Sequence, residues 1–303
     1  MSAIFIIGSI QLGLLYAVMA MGVFTTFRIL NLPDLTVDGS FTLGMACAAI
    51  ATASGHPILA LFLAVIVGAL AGSVTGLLQT KVGIHPILAG ILVMTGLYTV
   101  NMAVMGGKSN ISLAGKETIF TMIESKIITQ NSWGKTFLAI LLCIIVLITL
   151  AVFYKTKLGL AIRATGDNEE MVRSSSINAN MTKCIGLAIG NACVALSGAL
   201  ICQYQMFSDV SSGSGMVVIG LASVIIGETI FGRRSVTIGL FSALTGSILY
   251  RIIIAVALKF DLFPSYALKL ISAIIVALAL SVPFITSKVK QNRVRREANN
   301  HLQ

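Results

Sequence analysis

Few residues in this 303-residue chain are equipped for chemistry, and they fall in three places. Asp34 and Asp38 stand four apart in Asn31-Leu32-Pro33-Asp34-Leu35-Thr36-Val37-Asp38-Gly39-Ser40, between two apolar stretches. Pro33 and Gly39 break helix, so 31–40 reads as irregular backbone. Within a membrane such backbone is tolerated only where it lines protein or water. Asn31, Asp34, Thr36, Asp38 and Ser40 are therefore candidates for lining a translocation path. The alternative is a plain turn in which Asp38 or Ser40 caps the helix that follows. The second place is the pair of charges in or beside apolar runs, Glu228 and Arg251, since such charges mark function by default. Glu228 either pairs locally with Arg233 and Arg234 or meets a partner protein. Arg251 either snorkels outward or pairs with a carboxylate inside the bundle. The third is Ala164–Thr182, too polar to span a membrane. Glu169, Glu170, Met171 and Val172 favour a short helix after a turn at Gly166 and a cap at Asn168. Met171 and Val172 could sit in a groove of another protein. The segment is either such a docking helix or a solvated loop.

Enzyme chemistry finds no support. Gly106-Gly107-Lys108-Ser109 ends like a nucleotide-binding loop, but Met102 stands where the motif needs its first glycine. Ser214, between Gly213 and Gly215, would need a general base. The three histidines, His56, His85 and His301, all lie outside the expected spans. No HExxH or CxxC pattern occurs, and the five cysteines sit in apolar stretches as small hydrophobes. No catalytic residue, resident metal or bound cofactor is expected.

The elements that must position these residues follow from composition. The chain is 56% hydrophobic and 11% charged, with a mean hydropathy of +0.95. Soluble domains carry about 25% charged residues. This excludes a soluble enzyme and predicts an all-α polytopic membrane protein. Continuous apolar runs of about 20 residues predict helices rather than barrel strands. They lie at 4–27, 57–80, 86–106, 136–154, 184–207, 216–232, 235–258 and 270–287. A shorter Ala- and Gly-rich run at 41–54 makes a ninth, as a tilted span or half-helix, so the expectation is 8–9 transmembrane helices with a short or broken one near 31–54. The uncharged stretch Met1–Phe27 reads as a retained first span, not a signal peptide. Paired small residues such as Gly68-Ala69-Leu70-Ala71-Gly72 suit close helix packing in lipid.

The net charge of +10 reads as positive-inside bias, not nucleic-acid binding, because aromatics make up only 7%. With 155–183 inside, 14 of the 21 basic residues fall inside, six fall outside and Arg251 lies within a span. The C-terminus is then cytoplasmic, and the N-terminus lies outside if 41–54 crosses. Residues 1–287 form a single transmembrane domain, with 155–183 as its cytoplasmic segment and 107–135 as an outer loop bearing one amphipathic stretch at 119–128. Residues 288–303 form a basic tail suited to anionic membrane lipid.

Three patches in order resemble one family. Ala164, Gly166, Asn168, Ile177 and Asn178, followed by Ser197-Gly198-Ala199-Leu200, resemble the permease subunits of ATP-binding-cassette (ABC) importers for branched-chain amino acids, ribose and related solutes. Ser176 replaces the family's usual Gly and Met171 its frequent Ala. Leu221-Ala222-Ser223-Val224-Ile225-Ile226-Gly227-Glu228-Thr229 is similar to the family's A-A-V-V-L-G-G-T stretch, with Glu228 in place of Gly and Arg233-Arg234 in a normally Gly-rich turn. Ala17-Val18-Met19-Ala20-Met21-Gly22 and then Asp34–Ser40 resemble its A-x-x-A-x-G span and I-D-L-S-V-G-S motif. The likeness covers roughly residues 10–285 and is strongest to the branch paired with binding proteins for tryptophan or tyrosine.

The resemblance implies a bacterial cell-membrane import permease, paired as a homodimer, for a small solute such as an aromatic amino acid. Two separate ATPase subunits carry ATP and Mg, and an extracytoplasmic binding protein delivers the solute. Gly166, Asp167, Asn168, Glu169, Glu170, Met171, Ile177 and Asn178 would couple to the ATPases. Discontinuous helices at 31–40 and around the Gly-rich turn 208–215 would line the path. The competing classes are an ion-gradient-driven secondary transporter and a non-transporting receptor or scaffold.

Overall fold

The computed structural model describes residues 3–126, 133–232 and 235–259, and five positions between 270 and 281. Arg233, Arg234, most of the expected span 270–287 and the tail 288–303 lie outside the described residues. The apolar runs form α1 (Ala3–Phe24), which ends in a π-helical turn (Thr25–Ile29), then α2 (Thr36–Ala53), α3 (Pro57–Thr80) and α4 (Pro86–Val104). There follow α5 (Ile119–Lys126), α6 (Trp133–Phe153), α7 (Lys157–Asp167), α8 (Glu169–Ser174), α9 (Ala179–Gln205), α10 (Met216–Phe231) and α11 (Val236–Lys259). Two three-residue strands, β1 (Asn110–Ser112) and β2 (Phe207–Asp209), pair antiparallel with Asn110 opposite Asp209. Among the described residues six helices are long and apolar enough to cross a membrane, and α10 is a shorter apolar one. The chain is an all-α polytopic membrane protein.

Local sequence explains the helix starts. Pro57 and Pro86 open α3 and α4, where a missing N–H costs nothing. Thr156, Asn168 and Asn178 cap α7, α8 and α9 by accepting backbone N–H groups of the following turn. The Asn178 cap starts α9 five residues before the expected 184. Thr36 starts α2 five residues before 41, because the Asp34 carboxylate accepts the Thr36 N–H at 2.9 Å. The irregular stretch thus shrinks to about 30–35, and Gly39 lies inside a helix. Gly39 serves close approach instead: a Cβ there would press on Leu97 and Met94 of α4.

α9 is the hub of the bundle. On α3, Gly68, Gly72 and Gly76 form a bare stripe one turn apart, and any Cβ on them would strike α9 at Asn191, Leu187 and Cys184. Dispersion across such bare contacts replaces the hydrophobic effect inside lipid. α2 is enclosed, with 14 of its 18 residues buried. Its N-terminal turn lies level with Asn191 in the middle of α9. Its C-terminal end reaches the bundle end that carries β1, β2 and α5, where Gln203 donates to the Pro57 carbonyl and accepts the Ile119 N–H. The opposite end carries α7 and α8. Residues 107–135, expected as a loop with one amphipathic stretch at 119–128, thus contribute β1, and that stretch forms α5 over its described part. Three-residue strands leave no alternation to read.

Candidate functional site

The two stretches with interrupted helices converge inside the bundle. The Asp34 carboxylate accepts from the Asn191 amide at 2.6 Å, and Ser40 donates to the Asn191 carbonyl oxygen at 2.7 Å. Thr36 and Thr75 share a hydroxyl hydrogen bond of 2.7 Å. Asp34, Thr36, Ser40, Thr75 and Asn191 are all buried. Their polar atoms are thus engaged with each other within the subunit, as buried polar groups must be. Asp38 points elsewhere. One carboxylate oxygen accepts the Gly215 N–H and the other the Val217 N–H, each at 2.8 Å. Asp38 therefore caps α10 rather than α2, and its charge lies at the positive end of the α10 dipole. Gly213 packs bare against the Asp38 carbonyl, so the turn 210–215 follows α2 closely. Asn31 is exposed, with positive φ, at the mouth of this stretch. Of the expected path candidates, Asp34, Thr36 and Ser40 meet in this cluster with Thr75 and Asn191, Asp38 turns to the start of α10, and Asn31 stands apart.

The second region is the α7–α8 unit. Gly166 lies within α7, not in a turn, and a Cβ on it would collide with the Ile29 carbonyl of the π-turn. The backbones of α7 and of the end of α1 are therefore in direct contact. Asn168 accepts the Met171 N–H at 3.0 Å and so starts α8. Glu169 accepts from Lys183 at 2.6 Å and from Arg173 at 2.8 Å. The Lys183 and then the Arg173 hydrogen bonds hold its carboxyl below its ordinary value. Met171 and Val172 separate: Val172 is buried in this chain, while Met171 is 53% exposed. Only Met171 of the two is free to meet another protein. Glu170, Asp167 and Ile177 are also exposed, and Asn178 caps α9.

Glu228 and Arg251 each find a partner the sequence did not suggest. Arg28 of the π-turn donates to Glu228, 200 residues away, at 2.6 Å. Among the described residues the guanidinium of Arg251 meets no carboxylate. It stacks on Tyr16 at 3.6 Å from the ring centroid, and Tyr16 in turn stacks with Phe41 of α2. Asn191 and Thr75 carry no charge, so nothing ionisable marks their place in the sequence. An amide in an otherwise apolar span was the available signal. Among the described residues no group of three or more His, Cys, Asp or Glu could hold a metal ion.

A helical membrane bundle that encloses a polar junction of two interrupted segments, and bears a charged helical pair at one end, has the build of a transport permease. The chain belongs to the family described as branched-chain amino acid transport system / permease component, whose model matches residues 5–280. It is 37% identical over 291 residues to the tyrosine transport system permease protein of Clostridioides difficile (strain R20291), covering 96% of this chain and 95% of that protein. It is 26% identical to the ribose import permease protein of Escherichia coli (strain K12), covering 70% of this chain and 65% of that one. Among solved structures it resembles PsaBC from Streptococcus pneumoniae in complex with Fab, with a TM-score of 0.52 and 12% identity over 91% of this chain and 89% of that chain. That likeness concerns the fold.

Proposed function

We propose that this chain is the membrane permease subunit of an ABC importer that carries an aromatic amino acid into the cell. Residues 1–287 form its one transmembrane domain. Two copies pair around the path, two ATPase subunits dock on their cytoplasmic faces, and an extracytoplasmic binding protein delivers the solute. The end carrying α7 and α8 is cytoplasmic, as is the C-terminal tail. The tyrosine permease of C. difficile, alike from end to end, supports the choice of solute.

One observation carries the mechanism: a continuous set of contacts runs from the charged helical pair to the buried junction. α8 is tied to α9 through Glu169 and Lys183. α7 rests backbone to backbone on the π-turn at Gly166. Arg28 of that turn grips Glu228 of α10. α10 begins on the Asp38 carboxylate of α2. A push delivered at Met171, Glu170 and Ile177 reaches α2 through these contacts without crossing a flexible linker. Closure of the ATPases then tilts α10 and α2 together, and the path opens to one side and then the other. Packed elements of this kind switch between discrete arrangements rather than deform.

The test is reconstitution of the purified chain in vesicles with its ATPase and binding protein. Labelled tyrosine should accumulate against its gradient only with hydrolysable ATP on the α7–α8 side. Uphill uptake by the chain alone, driven by a proton or sodium gradient, would overturn the reading.

A further inference from the structure

At the α7 end a cavity of about 260 Å³ opens between the end of α1, α7, α10 and α11. Its walls carry charges of both signs. Arg28 and Arg163 supply guanidinium groups, Asp167 and Glu228 supply carboxylates, and Phe24 and Val236 are apolar. Arg163 and Asp167 stand one turn apart on α7, close enough to pair. Yet among the described residues neither side chain has an ion-pair or hydrogen-bond partner. Asp167 is also the last residue of α7, where the helix dipole disfavours a negative charge. The Nε of Arg28 is buried and lacks a hydrogen-bond partner. A buried donor left unsatisfied costs about 1–3 kcal/mol. Unpaired charges of both signs, the remaining edge of the Arg28 guanidinium and an apolar wall are thus gathered around one space. Its volume falls just under the roughly 300 Å³ at which pockets for drug-sized ligands begin.

We propose that this cavity binds a free zwitterionic α-amino acid. The guanidinium groups of Arg28 and Arg163 receive the carboxylate, Asp167 receives the ammonium, and the side chain lies against Phe24 and Val236. On the reading given above, this end of the bundle is cytoplasmic, so the occupant is accumulated product. A molecule bridging α7 to α10 and α11 ties together the elements that must shift when the ATPases close. Occupancy therefore slows the transport cycle as internal amino acid rises, which makes the cavity a feedback site distinct from the path.

The test uses full-length protein in nanodiscs of phosphatidylglycerol alone, so that no zwitterionic lipid is present. L-tyrosine is titrated by calorimetry and compared with tyramine, which lacks the carboxylate, and with 3-(4-hydroxyphenyl)propionate, which lacks the ammonium. Wild-type protein should bind tyrosine at least tenfold more tightly than either analogue. Arg163→Gln should weaken that binding at least tenfold, and Val236→Phe, which fills the cavity, should remove it. Binding that survives both variants belongs elsewhere in the protein and overturns the proposal, as does an absence of binding. Stabilisation through Arg163 by added phosphatidylethanolamine but not by tyrosine would assign the cavity to a lipid headgroup and overturn it too. Uptake by the assembled transporter separates the two readings. If wild-type uptake fails while cavity binding behaves as described, the permease reading falls and the site stands. Normal uptake without cavity binding removes only the site.

Discussion

Asp38 offers the sharpest test of the buried junction. Its two carboxylate oxygens each accept one backbone N–H at the start of α10, at 2.8 Å. Asn is nearly the same size but offers one acceptor oxygen and, on the other side, an NH₂ donor. Asp38→Asn therefore keeps one of the two bonds and sets a donor against a donor at the other. A hydrogen bond to a charged group is worth about 1.5–3 kcal/mol, and an orphaned buried N–H costs about 1–3 kcal/mol. Losing the negative charge from the helix N-terminus adds about 0.3–1 kcal/mol. These terms overlap, so a net loss of about 2–4 kcal/mol is expected for Asn. Asp38→Ala removes both acceptors and should lose more. The order wild type, Asn, Ala should appear in thermal unfolding of the purified permease, with Asn lowering Tm by about 5–10 °C. Uptake should fall in the same order, because α10 and α2 no longer move as one piece. ATPase docking, read by co-purification, should persist in Asp38→Asn, since the α7–α8 surface is remote from Asp38. If both variants keep wild-type Tm and uptake, the cap carries no weight and the proposed transmission fails at its last contact.

Arg28 and Glu228 form the preceding contact. Glu228→Gln should cut coupled uptake several-fold, and the exchanged pair Arg28→Glu with Glu228→Arg should restore part of it. An exchanged pair no better than the single variant would mean that the ion pair itself is not what matters. For Glu169, the depressed carboxyl value fixes the sign of the pH dependence: its contribution to anchoring α8 is fully present above the ordinary glutamate range and is lost as pH falls through the lowered native value. Hydrogen exchange of α8 should accordingly stay protected below the ordinary glutamate range and rise only in stronger acid, and in Glu169→Gln it should be fast at neutral pH as well.

The bundle was legible because its signals are long: runs of about 20 apolar residues survive any detail of packing. The expected spans that fall on described residues form helices, with boundaries moved by single caps at Asp34 and Asn178. The short helix after Asn168 was legible for the same local reason, since Asn followed by Glu-Glu is a helix start. What escaped was long-range. Nothing near Glu228 in sequence points to Arg28, because the pair is made by folding α10 against the end of α1. Asp38 read as a possible local cap because its true clients, Gly215 and Val217, are nearly 180 residues away. Nothing near Arg251 in sequence points to Tyr16, the ring on another helix that receives it.

The glycine contacts divide the bundle into pieces that can move and pieces that cannot. α3 lies bare against α9 at Gly68, Gly72 and Gly76, and α2 lies bare against α9 at Gly44 and Gly198. Backbone-to-backbone contact of this kind leaves no side chains to repack, so α2, α3 and α9 behave as one block. α10 and α11 form a second block, with Gly227 against the Ser242 carbonyl and Gly246 against that of Ser223. α1 runs between them and touches both, at Gly22 against Gly190 of α9 and at Val23 against Gly220 of α10. The polar ties of the second block to the rest include Arg28 to Glu228 at one end, Asp38 to the start of α10 deeper in the bundle, Ser247 donating to the Gly13 carbonyl, and Arg251 stacked on Tyr16. A displacement of α10 is therefore passed to the end of α1 through Arg28 and to α2 through Asp38. Both lie on the route from α7, so under the proposed coupling role a push at the charged helical pair would reach the junction through these two contacts.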